Sequence, residues 1–195
     1  TPGSVMTYFP FGTMPRGRRG VGEVGVTEFA VPKGALSFWK DHLARSRVDG
    51  LVEDSFLGQA RLEFTGPDGD GLALIEDEPR GRAPWTGAGI ASDVGILGFH
   101  GARFGLRDAA ATGELLSFMG YEREESAGGV TRWRIAGGNA ADVIDIEEAP
   151  AAPVAHQGAG SVHHIAFAVD DRAAQLEARR ALMDTGYQVT PVIDR

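Results

Sequence analysis

Two adjacent histidines, His163 and His164, stand in the apolar run Ser161-Val162-His163-His164-Ile165-Ala166-Phe167-Ala168-Val169. Imidazole is the commonest side-chain metal ligand, and a strand turns successive side chains to opposite faces. Alternation therefore separates the pair. His163 shares a face with Ile165, Phe167 and Val169, which suits packing beneath a helix. His164 shares the other with Val162, Ala166 and Ala168, small residues beyond it that leave room for a coordinated group. Adjacent strand histidines are more often hydrogen-bonded structural residues than ligands, so the pattern alone leaves both roles open. His156 sits in a Gly-rich approach and reads as exposed; His42, within a helical stretch, reads as a surface residue. Arg16, Arg18 and Arg19 form a loop that could draw an anionic substrate or an acidic neighbour, or simply be solvated. The patch is too small to indicate nucleic acid. With no cysteine, thiol nucleophiles, disulfides, zinc ribbons and iron–sulfur clusters are excluded. No P-loop, dinucleotide-binding glycine motif or nucleophile elbow is present.

The elements that must position these residues recur along the chain. Strand-like runs at 24–31, 99–106 and 162–169 are each followed by a helical pattern, at 33–45, about 108–119 and 172–184. Pro32, Asp108 and Asp170-Asp171 punctuate the junctions. Leu36, Trp39 and Leu43, then Leu115, Leu116 and Met119, recur at helical spacing, and Phe38, Trp39 and Trp133 read as core. Strands at 61–64 and 72–75 flank the turn Gly66-Pro67-Asp68-Gly69; those at 131–135 and 142–146 flank Gly137-Gly138-Asn139. The unit is β-α-β-β-β, and its repetition predicts an α+β fold of tandem modules with cupped antiparallel sheets. Residues 1–20 read as the last strand and exit loop of a preceding module. Residues 21–78 and 94–150 form two modules joined by a linker at 79–93, and 151–195 form the first half of a further module. Strand-like residues at both ends, 5–9 and 187–192, lead us to expect further sequence beyond each end.

Bulk properties narrow the function classes. A hydrophobic content of 43% with 24% charged residues is that of a soluble globular protein, and the net charge of −8 argues against nucleic-acid or anionic-membrane binding. No run approaches the roughly 20 apolar residues of a membrane helix, and no signal peptide is evident. A cytoplasmic location is the expectation.

The repeated unit with His-His in a first strand resembles the vicinal oxygen chelate superfamily. Within it, Ser161 to Val169, preceded by His156-Gln157-Gly158-Ala159-Gly160, resembles the hydroquinone-type ring-cleaving dioxygenases; Met6-Thr7-Tyr8-Phe9-Pro10, Gly17-Arg18-Arg19-Gly20 and Thr190-Pro191-Val192-Ile193-Asp194-Arg195 are similar too. The resemblance spans the whole chain and implies four modules, of which this chain would hold the tail of the first, the second and third, and half of the fourth. It implies an Fe(II) site of two histidines and one glutamate, a facial triad with open positions. His164 matches the fourth-module histidine; the other two ligand positions lie outside these residues. His163 becomes a candidate catalytic residue supporting the site by adjacency, and Arg195 a candidate to steer a phenolate substrate. Val26 and Gly101 stand where His164 stands in its module, and Asp145 matches the glutamate position. Glu28 and Arg103 occupy the corresponding cavity faces, predicting an ion pair that fills a vestigial pocket between the second and third modules. The implied partners are a small aromatic substrate and dioxygen, and homo-oligomerisation is compatible. Two alternatives on the same fold stay open: a glyoxalase-like lyase or isomerase using Mn, Ni or Zn, and a metal-free small-molecule binder of the bleomycin-resistance kind.

Overall fold

The computed structural model describes residues 5–10 and 12–193, so Arg195 lies outside the described residues. They separate into two units, 1–163 and 164–195. In the first, the order is β1 (Glu23–Val31), α1 (Leu36–Arg45), β2 (Val52–Phe56), β3 (Gln59–Thr65) and β4 (Gly71–Glu76). The pattern then repeats as β5 (Gly98–Leu106), α2 (Ala110–Phe118), β6 (Tyr121–Ala127), β7 (Val130–Ile135) and β8 (Val143–Glu148). All eight strands join one sheet in the order β2-β3-β4-β1-β5-β8-β7-β6. The two halves meet at the antiparallel β1–β5 pair, where Thr27 faces Ala102 and Glu28 faces Gly101.

Each module closes on itself by pairing its first and last strands in parallel, β1 with β4 and β5 with β8. The sheet is therefore mixed rather than wholly antiparallel. The cause is the helix, which returns the chain so that a meander of three strands ends beside the first strand, running the same way. Sequence reading also passes over β2 and β6. Both are edge strands whose residues are mostly exposed and charged, the composition that blunts an edge against further pairing.

Strand alternation sorts the two faces. Val31, Leu62 and Leu74 point to the helix side and pack with Leu36 and Trp39 of α1, with Phe29, Phe38 and Phe64 around them. The Trp39 indole donates to the Val94 carbonyl at 2.7 Å. On the opposite face stand Val26, Ala73 and Ile75, and the polar residues described below.

The 79–93 segment between modules is pinned rather than loose. Arg80 bridges Asp77 and Asp142 at 2.8 and 2.7 Å, and Arg82 donates to the Phe99 carbonyl at 2.9 Å. Burial opposes ionisation of Asp77, yet His100 and Arg80 hold its carboxyl well below the usual carboxylate range.

Three expected strands are not formed. Residues 5–10 and 162–169 lie outside every ladder, as do 187–193. A first strand in this fold takes its hydrogen bonds from the last strand of its own module and from a neighbouring first strand, as β1 and β5 do. Among the described residues no such partners flank 162–169. In the second unit the expected helix does form, as α3 (Arg172–Asp184). The Asp171 side chain caps it by accepting from the Ala174 N–H at 2.9 Å. No helix among the described residues is long and apolar enough to cross a membrane.

Gly101 sits at the centre of the sheet, where a Cβ would lie 2.2 Å from the Val143 carbonyl oxygen. Gly101→Ala is expected to destabilise the first unit by about 1–3 kcal/mol through forced separation of β5 and β8. A denaturant midpoint unchanged from the parent chain would refute that close approach.

Candidate functional site

On the face away from the helices, the register collects an ionic cluster. Arg61 lies opposite Ile75, Glu28 opposite Ala73, and Asp145 opposite both Arg103 and Arg132, all on one side of the sheet. Asp145 is fully buried and takes two hydrogen bonds of 2.8 Å from Arg132 in a bidentate pair. Arg103 approaches the same carboxylate at 3.9 Å. Arg132 also donates to Gln59. The Phe56 ring lies beneath both guanidiniums, with centroid distances of 5.4 Å to Arg103 and 5.0 Å to Arg132.

Glu28 is fully buried, but its partner is not the expected one. The Arg61 guanidinium stands 3.5 Å from it, whereas Arg103 turns to Asp145. Arg61 reaches Glu28 from β3, across β4, because its extended side chain shares that face. Neither Glu28 oxygen accepts a hydrogen bond in this arrangement. Burial pushes the Glu28 carboxyl above the ordinary glutamate value, Asp145 adds to the rise, and His100, Arg61 and Arg103 oppose it. Arg61 is better served by Glu63, at 2.9 Å.

This cluster tests whether the described module pair suits a metal ion. Three guanidiniums surround two buried carboxylates, so the cup already has cations in place of a metal. Gly101, the position matching His164, admits no side chain at all, and Val26 is apolar. Among the described residues no group of three His, Asp or Glu side chains is placed to hold a metal ion. The residues present do not fit a resident iron in this cup.

The sequence-predicted histidines sit elsewhere. His164 is exposed, in the irregular stretch that opens the second unit. His163 closes the first unit and is exposed as well, beside Val162 at the rim of a surface pocket. The approach to them is fixed. Arg18 and His156 exchange backbone hydrogen bonds of 2.9 Å, and Gly17 donates to Ala159 at 3.0 Å. Gly160 has φ +82°, and a Cβ there would lie 2.2 Å from the Asp68 carbonyl oxygen. The Gln157-Gly158-Ala159-Gly160 run is thus a close-packed seam, although the His156 side chain is exposed as expected. Arg19 joins the seam through Glu23 at 3.7 Å and the Gly25 carbonyl. His42 is half-buried, its ring stacked 5.6 Å from that of Phe38.

Sequence reading missed Arg61, Arg132, Phe56 and the fully buried His100, whose Nδ1 lies 3.4 Å from Asp77. The available signal was parity. Gln59, Arg61 and Glu63 alternate with apolar residues on β3, a polar set facing inward.

The whole chain aligns at 38% identity with the provisionally named ring-cleaving dioxygenase MhqO of Bacillus subtilis (strain 168), covering 62% of its length. It is 31% identical, over 95% of the chain and 60% of the relative, to chlorohydroquinone/hydroquinone 1,2-dioxygenase of Sphingobium indicum. The crystal structure of a provisionally assigned dioxygenase from Bacillus subtilis subsp. subtilis str. 168 superposes with a TM-score of 0.92 at 38% identity, over all of this chain and 62% of that one. No family model matches the chain. The chain therefore spans about three fifths of the length of these relatives.

Two substitutions probe the cluster. Arg132→Met strands Asp145 in a buried site, and a loss of about 3–5 kcal/mol in unfolding free energy is expected. Glu28→Gln acts the other way. A carboxyl held above its ordinary value favours the folded state at low pH, and that contribution is lost as pH rises above about 4.5. Gln removes the buried charge and leaves Arg61 paired with Glu63. The variant should therefore melt higher than the parent at pH 8 and no higher at pH 4; a pH-independent difference would contradict a raised carboxyl.

Proposed function

We propose, for a chain that belongs to the ring-cleaving dioxygenases on the vicinal oxygen chelate fold, that it is part of an Fe(II)-dependent enzyme opening hydroquinone- or catechol-type rings with dioxygen. The observation carrying this reading is similarity along nearly the whole chain to relatives so named, joined to a fold in which β-α-β-β-β modules pair through their first strands. The chain is read as two complete modules, 21–78 and 94–150, joined by 79–93 and flanked by 1–20 and 151–195 from two others.

In this reading the described module pair is scaffold, because its cup is filled with guanidinium–carboxylate pairs. This chain contributes His164 to a metal site whose other ligands it does not supply. In this reading the His164 segment pairs with a strand neighbour, and pairing would turn His164 and His163 to opposite faces. His163 then supports the site through the sheet, and Arg195, which lies outside the described residues, is assigned the attraction of a phenolate. The 153–161 seam holds the root of that segment against 15–21.

Oxygen consumption by the iron-loaded protein, at the full length of its relatives, tests the assignment with substituted hydroquinones and catechols. Iron-dependent uptake with ring-opened product is expected, and His164→Ala should abolish both uptake and stoichiometric iron binding. Uptake that survives His164→Ala would remove His164 from the site. Turnover of a substrate without oxygen consumption would favour the lyase or isomerase alternative. The 195-residue chain alone should bind iron weakly and consume no oxygen.

A further inference from the structure

We infer that the first unit carries a second small-molecule site, suited to a hydroxylated aromatic, at the start of β1. A pocket of about 240 Å³ opens there. Val24, Phe104, Leu106 and Val162 give it apolar walls, and Gln157 lies in its lining. The volume is below the roughly 300–1,000 Å³ of drug-sized sites and suits a single substituted ring.

Glu23 gives the pocket its chemistry. Its side chain is only 3% exposed and lines the pocket. One carboxylate oxygen, Oε1, accepts from the Gly20 N–H at 2.9 Å and faces Arg19 at 3.7 Å. The other, Oε2, is buried without a hydrogen-bond partner. A buried carboxylate oxygen left without a donor is costly, so the site is short of one donor. Arg19 already offsets the charge of Glu23, so a neutral O–H fits this position better than a second cation. A phenolic hydroxyl on Oε2, with its ring among Val24, Phe104, Leu106 and Val162, meets both requirements.

The site is built from residues of the first unit, with Val162 and His163 at its rim, and does not depend on ring cleavage; that reading selects only the first probe, hydroquinone. The test is titration of the isotope-labelled 195-residue chain, free of iron and oxygen, with hydroquinone, phenol, toluene and benzylamine, followed by NMR. Hydroquinone and phenol should give saturable shifts at Gly22, Val24 and Leu106, with toluene weaker. Glu23→Gln should weaken phenol binding about tenfold, the worth of a hydrogen bond to a charged group. Should Glu23→Gln not fold, Leu106→Ala decides, with a similar loss expected from the apolar wall. Non-saturating shifts, benzylamine binding as tightly as phenol, or unchanged affinity in a folded Glu23→Gln or Leu106→Ala chain would each overturn the site. None of these outcomes bears on oxygen consumption, so the two readings fail separately.

Discussion

Arg132 on β7 donates to Gln59 on β3, although four strands lie between them in the sheet. At roughly 4.8 Å per strand, five steps across a flat sheet would separate them by about 24 Å. The contact exists because the sheet curls until its outer strands face each other. The cluster of Glu28, Arg61, Arg103, Arg132 and Asp145 occupies the space that the curl encloses, with Phe56 closing it from β2. A fully buried carboxylate held by two hydrogen bonds fixes the relative position of β7 and β8. Arg103, reaching towards it, adds β5, and Arg61 ties β3 to Glu28 on β1. The curvature of the first unit and its internal charge balance are thus one constraint.

Much of this was legible in the sequence because it follows from periodicity. The repeated strand–helix–meander pattern gives two β-α-β-β-β modules, and pairing them through first strands is what brings Glu28 and Arg103 to one face. The identity of the ion pairs was not legible. Glu28 and Arg103 lie on adjacent strands, but Arg61 and Arg132 come from β3 and β7, and their reach depends on side-chain length and sheet curl. β2 and β6 escaped notice for a related reason: an exposed edge strand carries no apolar alternation to read. At 162–169 the apolar pattern was real but insufficient, since a strand exists only with a neighbour to complete its ladder.

The Gly-rich approach to the histidines illustrates the opposite case. Glycine runs suggest mobility, yet Gly158 and Gly160 are small because other backbone comes close, 15–17 against the first and Asp68 against the second. The Gly-rich approach therefore anchors the chain immediately before the two histidines. Fixing the root of a segment restricts the conformations open to the residues that follow it.

The cluster also restricts where this fold can go by mutation. A cation site in the same cup would need Arg61, Arg103 and Arg132 removed and neutral or anionic donors installed, together with a side chain at a position that now admits only glycine. Each single replacement passes through a chain with one buried charge unmatched, at a cost of several kcal/mol against a total stability of about 5–15. Substitutions here are expected to arise as correlated pairs across β1, β3, β5, β7 and β8. Once a cup has filled with its own counter-ions, its route back to an empty cavity is closed to single substitutions.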